Sequence, residues 1–146
     1  MNLKAILEKS FADLLRAKLP VDQHAEFAGV DFFQSQRSGA LSLPAVVVTC
    51  VNASELIPDS GAHKAQVEVM VKTSINEESG AIDDEHQMRV SKVEAVLRDK
   101  SAIVQFFAAT DIYIYNTQSS DQPAEVDDNA YSDIITVMID FHVLPA

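Results

Sequence analysis

Apolar residues recur along this chain with two periods, and the switches between them mark out its elements. Leu3, Ile6, Leu7, Phe11, Leu14 and Leu15 follow the spacing of one helical face, while Lys4, Glu8, Lys9, Asp13 and Arg16 fall on the other. Pro20 ends that helix, because proline has no amide to donate and disfavours a helical residue before it. Beyond it the pattern weakens. Phe27, Val30, Phe32 and Phe33 predict a short edge strand, and residues 34–42 read as a polar loop.

Residues 45–51, Ala-Val-Val-Val-Thr-Cys-Val, form a β-branched run that predicts a central strand apolar on both faces. Pro44 stands at its head, where no ladder donor is needed. Residues 52–64, with Pro58, Asp59, Ser60 and Gly61, predict a loop. Residues 65–74 then alternate, with Val67, Val69 and Val71 on one face and Gln66, Glu68, Met70 and Lys72 on the other. A helix follows, capped by Asp83 or Asp84, with Ile82, His86, Val90, Val93 and Leu97 as its core stripe. Ile103, Val104, Phe106 and Phe107 predict a further helical turn.

Residues 111–117 alternate again, placing Ile112 and Ile114 opposite Tyr113 and Tyr115. Residues 118–130 read as an acidic loop holding Asp121, Pro123, Glu125, Asp127 and Asp128. The last strand, residues 132–144, sets Ile135, Val137, Ile139, Phe141 and Val143 against Ile134, Thr136, Met138, Asp140 and His142. The order of elements predicts a single α+β domain over residues 1–146, with a mixed or antiparallel sheet of four to five strands and two main helices packed on one face.

If the valine and isoleucine faces of the strands meet the helices, the opposite face carries Glu68, Met70, Tyr113, Tyr115, Met138, Asp140 and His142. Methionine and tyrosine are enriched where proteins meet, so this face is a candidate interface, lining either a subunit contact or a lumen. Asp121, Glu125, Asp127 and Asp128 are candidate acidic contacts.

Charge narrows the choice of partner. Eleven basic residues against 22 acidic ones leave a net charge of -11, which opposes nucleic-acid binding but not the passage of DNA nearby. The single cysteine, Cys50, lies in an apolar strand and reads as a core residue in a reducing compartment. Charges interrupt the first helix, so it is no signal peptide, and no stretch reaches the roughly 18 apolar residues that span a bilayer.

Catalytic constellations are weak by comparison. Asp83, Asp84, Glu85 and His86 bring oxygen donors near an imidazole, but consecutive helical residues point in different directions, and His86 reads as a satisfied core histidine. Ser10, Ser60 and Ser101 lack the glycine context of a hydrolase nucleophile, and Gly80 opens no phosphate loop. No catalytic, cofactor-binding or metal-binding residues are therefore expected, and the chain is read as a structural protein rather than an enzyme.

The progression Leu43-Pro44-Ala45-Val46-Val47-Val48, the polar loop through Asp59 and Ser60, the run 65–71, the acidic helix start and Val93-Glu94-Ala95-Val96-Leu97 resemble the lambda-type tail terminator proteins of long-tailed phages. The resemblance covers about two thirds of the chain. It implies a homo-oligomeric ring, usually a hexamer, that caps the tail tube, ends its polymerisation and joins it to the head connector. It also implies no cofactor, assembly in the host cytoplasm, a place at the head-proximal end of the virion tail, and DNA passing through unbound. Another head-tail completion protein, or a small α+β ligand-binding or enzymatic domain using Tyr113, Tyr115 and His142, is the alternative. A regulatory module whose acidic loop binds a basic partner is a third.

Overall fold

The computed structural model describes residues 2–34, 44–56, 58–74, 82–126 and 130–143, with only the backbone described at 74, 82, 83, 123–126 and 130. Helix α1 spans Leu3–Lys18 and is followed by a 3-10 turn at Ala25–Phe27 and strand β1 at Asp31–Gln34. Strands β2 (Ala45–Glu55) and β3 (Ala62–Ser74) come next, then helices α2 (Ile82–Arg98) and α3 (Lys100–Ala108), then strands β4 (Ile112–Val126) and β5 (Ala130–Val143). The five strands form one sheet in the order β1-β2-β3-β5-β4. Only the β1–β2 pair is parallel, so the sheet is mixed.

Local chemistry sets the helix ends. The Asn2 side chain accepts the Ala5 N–H at 3.1 Å, and Arg16 and Lys18 occupy the last turn of α1, where cations favour the carbonyl end of the dipole. Leu19 closes that helix, just ahead of Pro20. Asp99 separates α2 from α3 by accepting the Ala102 N–H at 3.1 Å, so the predicted apolar turn is a nine-residue helix of its own. Asp83 and Asp84 lie inside the first turn of α2 instead of capping it.

Strand boundaries differ from expectation in two places. Residues 52–55 and 62–64 belong to a β2–β3 hairpin rather than a loop. Its turn is closed by the Leu56 N–H on the Ala62 carbonyl at 2.8 Å, and the Glu55 carboxylate accepts the Asp59 and Gly61 amides at 2.9 and 3.3 Å. Both Asp59 and Gly61 adopt positive φ, at 61° and 76°, which permits the tight reversal. Residues 118–126 are likewise strand, not loop, because β4 pairs with β5 as far as Val126. The polar run there satisfies its backbone through the ladder even though its side chains offer little apolar surface.

The core lies between the helices and one sheet face. Leu7, Phe11, Leu14 and Leu15 of α1, Val90, Val93 and Leu97 of α2, and Ile103 and Phe107 of α3 meet the inner valines and isoleucines of β2, β3 and β5. Each such side chain contributes about 1.5–3 kcal/mol when fully buried. Phe11 and Phe107 tie α1 to α3 with ring centroids 5.0 Å apart.

Strand β2 is second in the sheet, with β3 at the centre. It is nonetheless covered on both faces, since Ala45 and Val47 are each 1% exposed but lie outside the core cluster. The described pairing of β1 reaches Gln34 opposite Val48, and farther along β2 the partners are supplied by α1. The Cys50 N–H donates to the Glu8 carboxylate at 2.8 Å, and Lys4 donates to the Val51 carbonyl at 3.3 Å, beside a bulge between Cys50 and Asn52. Charged side chains of α1 thus satisfy backbone groups of β2.

Candidate functional site

Register fixes what the outer sheet face carries, because paired residues on neighbouring strands point the same way. One row runs Val47, Met70, Ile134, Gln122; the next runs Thr49, Glu68, Thr136, Ser120; a third runs Asn52, Gln66, Met138, Gln118. Lys64 sits opposite Asp140, whose carboxylate accepts the Asn116 side-chain amide at 3.1 Å. Glu68, Met70, Met138 and Asp140 therefore share one face, as expected. None of Met70, Ile134 and Met138 belongs to the helix-packed core or its periphery.

Tyr113 and His142 end that face as a cross-strand pair, while Tyr115 occupies a bulge between Ile114 and Asn116. Its ring lies 5.7 Å from that of His142, and Tyr113 and Tyr115 are 53% and 39% exposed. The simple alternation of residues 111–117 is broken at that bulge, and residues 116–122 change phase until a second irregularity between Gln122 and Glu125. An open recess of about 330 Å³ beside the tyrosines is walled by α3 residues including Lys100, Val104 and Gln105, and His142 is not in its lining.

The acidic candidates are dispersed. Asp121 pairs with Ile135 and so faces the helix side of the sheet, in a groove of about 300 Å³ with Glu94 and Arg98 of α2. Burial, reinforced by the Glu94 and Asp133 carboxylates, pushes its pKa up against the opposing pull of Arg98. Glu125 belongs to β4, opposite Ser132. Asp127 and Asp128 lie outside the described residues.

A second polar constellation lies inside the molecule. His86 is fully buried; its Nδ1 is 2.8 Å from Thr73 Oγ1 and its Nε2 is 2.8 Å from Asp133 Oδ1. Arg89 donates to Thr73 Oγ1 at 3.1 Å and to the Glu26 carbonyl at 2.6 Å. A carboxylate oxygen accepts, so a proton on Nε2 points to Asp133, while the Thr73 hydroxyl, which accepts from Arg89, can still donate its own proton to Nδ1. Lys92 pairs with the Glu26 carboxylate and holds its pKa below the ordinary range. Burial lowers the Arg89 pKa, opposed by Glu85 and Glu26.

Hydroxyl, imidazole and carboxylate stand here in the order of a nucleophile, base and orienter. Yet Thr73 is 5% exposed and its oxygen is occupied by Arg89, so the chain pins α2 to β3 and β5 rather than presenting a nucleophile. Sequence reading anticipated His86 as a satisfied core histidine, but not its partners. A signal was present: 73 extends the inner series 67, 69, 71, and 133 extends 135, 137, 139, so Thr73 and Asp133 are polar residues at core-facing positions.

Among the described residues, no three His, Cys, Asp or Glu side chains are grouped to hold a metal ion, and no helix is long and apolar enough to cross a membrane. The class these features define is an α+β domain with its described helices on one face of a mixed sheet and a Met- and Tyr-bearing face opposite. No family model and no curated protein matches the chain.

Proposed function

We propose that this chain is a phage or prophage structural protein of the tail terminator kind, forming a ring that caps the tail tube and offers a joining surface to the head. The observation that carries this reading is the one-sided architecture: the helices are packed against the inner face, and Met70, Ile134 and Met138 sit on the other, outside the core. The sequence resemblance supplies the particular assembly. Its mechanism is steric. A ring docked on the last tube layer covers the edges on which another layer would grow, and the surface it exposes belongs to a different partner.

Net charge suits a ring around moving DNA, since a negative lumen holds no phosphates. The same -11 per copy repels neighbouring copies, so assembly strengthens as salt shortens the screening length from about 8 Å at physiological ionic strength to about 3 Å at 1 M. Native mass spectrometry and sedimentation across a salt series, alone and with tail tubes, test the proposal. A protein that stays monomeric at every salt concentration, tubes included, refutes it.

A further inference from the structure

We draw no further inference here: the strongest candidate, the open groove between α1 and α3 lined by Ile6, Phe106 and Ala109 and edged by the Lys9–Asp13 ion pair, is an unpartnered apolar surface, and nothing in the structure shows what covers it.

Discussion

Replacing Asp133 by alanine removes the acceptor from Nε2 of a histidine that has no exposed surface, and the loss is readable as stability. A buried donor left without a partner costs about 1–3 kcal/mol, and more when the missing partner is charged, so about 2–3 kcal/mol is expected. For a chain of this size each kcal/mol moves the melting temperature by about 2–4 °C, which gives a drop of about 5–10 °C. Asp133→Asn keeps an oxygen of the same reach toward Nε2 and is expected to cost less than about 1 kcal/mol. Thr73→Val removes the other end of the chain and also takes the acceptor from Arg89 Nη1. Because both residues bond one imidazole, the double variant Thr73→Val/Asp133→Ala is expected to show a coupling of about 0.5–3 kcal/mol in a urea-denaturation cycle. An alanine variant within about 0.5 kcal/mol of wild type, or an asparagine variant as damaging as alanine, refutes the argument that hydrogen bonding to His86 pins α2 to the sheet.

Three further outcomes are expected. Glu8→Leu leaves the Cys50 amide without its 2.8 Å acceptor and should cost about 1–3 kcal/mol in urea denaturation, whereas Glu8→Gln, which restores an oxygen, should cost clearly less. Burial pushes the Cys50 thiol up to about 11, so iodoacetamide at pH 8 should label the folded protein slowly and the denatured protein fast; equal rates would contradict its burial. Lys92 keeps the Glu26 carboxyl below its ordinary range in the folded state. A depressed carboxylate stabilises above its unfolded pKa and loses that contribution as pH falls through the folded one. The deficit of Lys92→Met against wild type should therefore be full at neutral pH and shrink in acid, as followed by thermal melts from pH 7 to pH 3; a deficit independent of pH would reject the pairing.

Among the described residues the helices pack on one face of the sheet, and the other face carries methionine and isoleucine. Methionine and isoleucine on such a face are half-buried by their cross-strand neighbours and available to another surface. The edges are treated differently. Beyond β1, α1 covers β2 with Glu8 and Lys4, whereas β4 runs 15 residues as an edge and is broken by two bulges. Bulges twist an edge away from the flat geometry that strand addition needs.

Hydrophobic period alone determined most of the architecture. The α1 and α2 stripes and the alternation in β3 and β5 are written in the spacing of apolar residues, because a buried face must repeat with the geometry of its element. Of the edge strand read from Phe27, Val30, Phe32 and Phe33, only the last two lie in β1, and Phe27 sits in the 3-10 turn. The shared outer face of Glu68, Met70, Met138 and Asp140 followed from the same rule. Tertiary structure decided what periodicity does not encode. Residues 118–126 are polar enough to read as a loop, and only the ladder of β5 makes them a strand. The bulge at Tyr115 reverses the phase of β4 and carries Asp121 to the helix side, and no local pattern marks it. The partners of His86 lie 13 and 47 residues away in sequence, so their meeting depends on how α2 crosses β3 and β5. The make-up of the outer face is likewise a property of register, since Lys64, Lys72, Glu68 and Asp140 are brought onto one surface only when the strands pair.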